Sequence, residues 1–116
     1  MVEYNVIALL EQIGFVKGTD LFLANLPQGV SEGIAVKTAG EISDDGALDI
    51  ATLSVVVVYN DNSTALINAR AIKNKLKADV GRLGSSSATM LPITLTGYGT
   101  DELGRQIYAV TAQVAY

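Results

Sequence analysis

Thr100 to Tyr116 reads TDELGRQIYAVTAQVAY, and how this stretch folds decides the architecture of the whole chain. It opens with a polar turn containing Gly104, then runs from Gln106 to Tyr116 without Gly, Pro or charge. Tyr108, Val110, Ala112, Val114 and Tyr116 occupy the even positions, whereas Thr111 and Gln113 fall on the odd ones. Successive side chains of a strand point to opposite faces, so this pattern predicts a strand with one apolar face toward a core. A single strand is not stable in water; the rest of the chain must supply its neighbours.

Working outward, the nearest partner is Ile93-Thr94-Leu95-Thr96, an alternating segment headed by Pro92, which a strand tolerates at its start. Gly97-Tyr98-Gly99 is expected to break that strand before the closing segment begins. The second partner is Asp49 to Tyr59, whose Val55-Val56-Val57-Val58 run is β-branched on both faces. Such a strand is expected at the centre of a sheet and covered twice. One cover is a helix; the other is a second helix or another subunit. Ile34, Val36 and Thr38 alternate with Ala35, Lys37 and Ala39 as a strand with one solvated side. Leu21-Phe22-Leu23-Ala24 reads as a short buried strand, ended by a turn around Pro27 and Gly29.

Two segments carry a helical period instead. Val2, Val6, Leu9, Leu10 and Ile13 share one face, with Gly14 as a natural stop. Asp61-Asn62-Ser63-Thr64 offers capping oxygens before Ala65 to Asp79, where Leu66, Ala69, Ile72, Leu76 and Val80 align. Gly81 to Thr89 (GRLGSSSAT) follows a helix and lacks the Lys of a phosphate-binding loop, so it reads as a surface linker. The expected fold is α+β: one domain over residues 1–116, with a mostly antiparallel or mixed sheet of about five strands packed with two helices.

Composition narrows the chemistry. The 116 residues fit one domain, and 49% hydrophobic content supports a core that must be aliphatic, since Trp is absent. With no Cys and no His, the chain has no disulfide, no thiolate ligand, no cysteine nucleophile and no imidazole base. A net charge of −4 disfavours a general phosphate-binding surface, so no specific nucleic-acid partner is expected. The N-terminus does not read as a signal peptide, and no apolar run reaches the roughly 20 residues that span a bilayer. No Gly-x-Ser-x-Gly elbow or Ser-x-x-Lys pair occurs, and adjacent Asp101 and Glu102 read as a solvated turn. The chain is therefore expected to be no enzyme and to hold no cofactor and no metal.

Two charged features remain. Glu41, Asp44 and Asp45 lie in the acidic loop GEISDDG of residues 40–46, and Arg70, Lys73 and Lys77 form a basic stripe beside the apolar helix face. Surface charge is ordinarily just solvated. The sharper alternative is that the six form a subunit interface, the acidic loop of one copy meeting the basic helix of its neighbour. Asp44, Asp45 and Asp49 could also supply oxygen ligands, although their spacing fits no calcium loop.

The order of elements resembles the tail terminator family of long-tailed bacteriophages, also called minor capsid or tail completion proteins. The residues that carry the resemblance are Leu26-Pro27 after a short apolar strand, Leu53 to Tyr59 followed by a helix with Ala65, Ala69 and Ile72, and above all Asp101-Glu102-Leu103-Gly104-Arg105-Gln106-Ile107-Tyr108. It spans most of the chain through order and spacing, each motif being weak alone. One departure is that family members often carry an Arg in the central strand, where Val55 to Val58 has none. The resemblance implies a structural virion protein, assembled in the host cytoplasm into the tail. It implies a hexameric ring at the head-proximal end of the tail tube that ends tube polymerisation, with the tail tube protein and a head–neck connector protein as partners. A neck or head-completion protein, or a tube subunit of the same virion, is the nearest alternative. A small ligand-binding or accessory domain is the reading from a different class.

Overall fold

The computed structural model describes residues 2–42, 49–78, 89–90 and 93–115. Helix α1 (Val2–Glu11) is followed by strands β1 (Leu21–Leu23), β2 (Gly33–Ile42) and β3 (Asp49–Tyr59). Helix α2 (Asn62–Ala78) then leads to β4 (Thr89–Met90), β5 (Thr94–Thr100) and β6 (Gln106–Ala115). The strands form one mixed sheet in the order β1-β2-β3-β6, with β4 and β5 both on the far side of β6. Since β4 pairs with Val114–Ala115 and β5 with residues 106–111, the two share one edge position. The sheet thus has five strand positions, as the sequence suggests, and only the β1–β2 pair is parallel.

The closing strand does not close the sheet at an edge. It lies inside, paired with β3 from Tyr59↔Gln106 to Ile50↔Ala115 and with β5 on its other flank. Its apolar face packs as the alternation predicts: Val110 is buried, Ala112 is nearly so and Tyr108 packs against the core. The side chains of Val114 and Tyr116 lie outside the described residues.

Both helices cover the same face. Val6, Ile7, Leu9 and Leu10 of α1 and Ala65, Ala69, Ile72 and Leu76 of α2 meet Leu21, Ile34, Val36, Leu53, Val55, Val57 and Val110 in one cluster. Fully burying each of its larger aliphatic side chains stabilises the fold by about 1.5–3 kcal/mol. The buried row on α2 begins at Ala65, with Leu66 only half-buried, and its small alanines let the helix lie close to the sheet. Val80 lies outside the described residues. Val55 to Val58 is central as expected, but among the described residues no second helix covers its other side; α1 and α2 pack beside each other on one face.

Local chemistry sets the helix ends. Phe15 N donates to Leu10 O and Gly14 N to Glu11 O, the paired bonds of a C-terminal cap in which Gly14 takes the positive φ of 106°. Ile13 is left beyond α1 and partly exposed. At α2 the Asp61 carboxylate accepts Thr64 N and Thr64 Oγ1, both at 2.9 Å, so the helix begins at Asn62, earlier than its apolar period.

The expected break at Gly97-Tyr98-Gly99 is instead a bulge within β5, with the register shifting between Gly97 and Gly99. Gly97 pairs with Tyr108, and a Cβ there would lie 3.2 Å from that ring. The glycine makes room for the aromatic side chain and lets the strand continue.

Candidate functional site

Among the described residues no helix covers the other face of the sheet, and the pairing register fixes what it displays. Lys37, Ser54, Thr111 and Thr94 are successive cross-strand partners, forming one row across four strands. The neighbouring row is Ala35, Val56, Ala109 and Thr96. Directly opposed side chains on one face sit about 4.5–5.5 Å apart, so an ammonium and three hydroxyls lie beside a small aliphatic strip. Lys37, Ser54, Val56, Tyr98, Ile107 and Thr111 line a shallow groove of about 380 Å³ here, with Ala109 at its floor. The alternation in β2 already put Lys37 on a solvated side; the row it joins depends on register, which the sequence does not spell out.

At one end of the sheet a polar clasp holds three connections. The Asp101 carboxylate accepts Leu103 N at 3.0 Å, Arg105 N at 2.8 Å and Arg105 Nε at 2.7 Å. Gly104 N donates to Asp101 O with φ of 79° at the glycine, and Asp101 N donates to Arg105 O. These bonds, led by the Arg105 amide, hold the Asp101 carboxyl below its ordinary pKa of 3.8. Arg105 Nη1 also reaches Ser31 O at 3.2 Å, joining the turn to the connection before β2. Beside it, Glu32 Oε2 accepts Asn60 N at 2.8 Å. Asp101 and Glu102 are therefore not equivalent turn carboxylates: Asp101 turns inward as the hub, while Glu102 stays exposed. The D-x-x-G-R wording carried a mechanical reason that composition does not reveal.

Two further titrating groups mark packing instead of chemistry. The Asp61 carboxyl is held below 3.8 by its capping bond from the Thr64 amide. Tyr59 is pushed above 10.0, chiefly by burial and then by the nearby charge of Asp20.

The expected interface residues are distributed as follows. Arg70 and Lys77 are exposed on α2 and Lys73 is half-buried, so the stripe is real as a helix face. Residues 62–78 carry these three, Lys75 and no carboxylate. No ion pair among the described residues engages Arg70, Lys73 or Lys77. Glu41 occupies β2 opposite Ile50, near the hairpin end; its side chain, like Asp44 and Asp45 altogether, lies outside the described residues. Residues 81–88 of the expected linker lie outside them too, and Thr89 belongs to β4.

With this geometry in place, comparison with solved structures is informative. A chain of the virion of a native gene transfer agent particle superposes with a TM-score of 0.55 at 16% identity, covering 95% of this chain and 82% of that one. The fold is shared. No protein-family model matches the sequence, and no curated protein matches it. Among the described residues no helix is long and apolar enough to cross a membrane, and no carboxylate cluster could hold a metal ion.

Proposed function

We propose that this chain is a structural virion protein whose copies form a hexameric ring on the head-proximal end of a phage-type tail tube. The ring ends tube polymerisation and offers a docking surface to a head–neck connector protein; no reaction is assigned to it. The observation that carries the reading is the fold shared over nearly the whole chain with a virion component. The ring and its position rest on the resemblance through Asp101 to Tyr108. A face of the sheet without helices and a basic helix face are compatible with it, because a ring needs two different patches meeting head to tail.

Light scattering with negative-stain imaging tests the ring: the protein alone or with tail tubes is expected to give closed rings. A strict monomer at high concentration and with tubes present would sink the proposal. Tubes assembled without the protein are expected to run to uncontrolled length. Tails of normal length that fail to join heads would instead make it a neck or head-completion protein. Reversing Arg70, Lys73 and Lys77 to Glu should weaken assembly, with a dependence on salt that marks the stripe as interfacial. Unchanged assembly would return the stripe to an ordinary solvated flank.

A further inference from the structure

The tip of the β5–β6 turn and the groove on the open face are complementary. Leu103 is 74% exposed, the most exposed of the large apolar side chains among the described residues. It is held there by the bonds that its own amide and those of Gly104 and Arg105 donate to Asp101, so little conformational freedom remains for the tip to lose on docking. Beside it Glu102 is exposed, and it has no hydrogen-bond or ion-pair partner among the described residues. The groove presents the opposite set. Val56, Ile107 and Ala109 supply an apolar floor large enough for a leucine, Tyr98 is 64% exposed at its rim, and Lys37 stands at its edge. Lys37 is likewise without an ion-pair partner among the described residues. Leu103 is not among the residues lining its own copy's groove.

We propose that the Glu102–Leu103 tip of one copy docks into the open-face groove of a second copy, with Leu103 on Val56, Ile107 and Ala109 and Glu102 paired with Lys37. The occupant is a second copy because the chain already carries both halves of the match, a carboxylate beside an aliphatic tip and an ammonium beside an aliphatic floor. The two patches differ, so the contact is heterologous and propagates from copy to copy until it closes. The inference deepens the ring reading and rests on it: it says which surfaces join neighbours, and it gives the uncovered side of the Val-rich strand its second cover.

Charge exchange between copies tests it. Lys37→Glu and Glu102→Lys each place like charges across every such contact, so each variant alone should need about tenfold or more protein to assemble. An equimolar mixture restores opposite charge at both kinds of contact in an alternating ring, and should assemble within about threefold of the unaltered protein. Leu103→Ser should weaken assembly by about tenfold, without rescue in the mixture. Because all three side chains are on the surface, circular dichroism melts should match the unaltered protein, separating assembly from folding. If both reversals assemble normally, or the mixture does no better than either variant, the contact is wrong while the ring stands. If the unaltered protein stays monomeric even with tail tubes, the ring and the contact fall together.

Discussion

The two faces of the sheet are built from the same strands and have opposite characters. On the helix side Leu53, Val55 and Val57 of β3 are fully buried, and Val110 of β6 joins them. One residue along, Ser54 and Val56 face the groove with Lys37 and Thr111 and are only partly covered. Adjacent positions on one strand thus answer to different demands. The first face must exclude water to hold the fold together, whereas the second keeps hydroxyls, a cation and the half-buried Val56 and Ile107 toward the surface, over buried alanines. The difference teaches that a Val-Val-Val-Val run can lie at the centre of a sheet with helices on one face only.

The comparison can be tested by breaking each face in turn. The largest loss is expected from Leu53→Ala, which removes a fully buried side chain from the centre of the core and should cost about 2–5 kcal/mol in denaturant unfolding. Val55→Thr comes next: the shape is kept, but a hydroxyl enters an apolar cluster, and about 1–3 kcal/mol should be lost. Its neighbour Val56→Thr sharpens the contrast, because on the open face the same change should stay within about 0.5 kcal/mol in the monomer. Equal losses at Val55 and Val56 would mean that the open face is not open.

The smallest effect concerns the clasp and is lost in acid. Asp101 titrates below its ordinary value when folded, so its contribution is present above pH 3.8 and is lost as pH falls through the depressed value. Asp101→Asn should lower Tm at neutral pH, and the gap to the unaltered protein should narrow as pH falls below 3.8. A constant gap across that range would show that the carboxylate charge is not what holds the turn.

Much of this architecture was legible in the sequence because periodicity reports burial directly. Tyr108, Val110 and Ala112 gave the inner face of β6, and Ala69, Ile72 and Leu76 gave that of α2. The parts that were not legible depend on the partner's identity. Gly97 reads as a breaker until Tyr108 is known to lie across from it. Asp101 reads as solvated until its bonds to Leu103 and Arg105 are seen, and the link from Arg105 to Ser31 spans 74 positions of chain. The charged site was legible only in part. The stripe on α2 follows from its spacing, whereas the row from Lys37 to Thr94 requires the register of four strands.

The interior position of β6 sets an order on synthesis. Every strand that it joins is made before it, and β3 gains its second neighbour only when Gln106 to Ala115 has been added. Until then the β3 edge is an open row of backbone donors and acceptors, next to the most β-prone stretch of the chain. Nascent chains halted before Gln106 should therefore be the aggregation-prone species, in which β3 can accept a strand from another molecule. Placing an interior strand late makes sheet completion a checkpoint: the open-face groove and the Asp101–Arg105 clasp form together, and a partly made chain has neither whole.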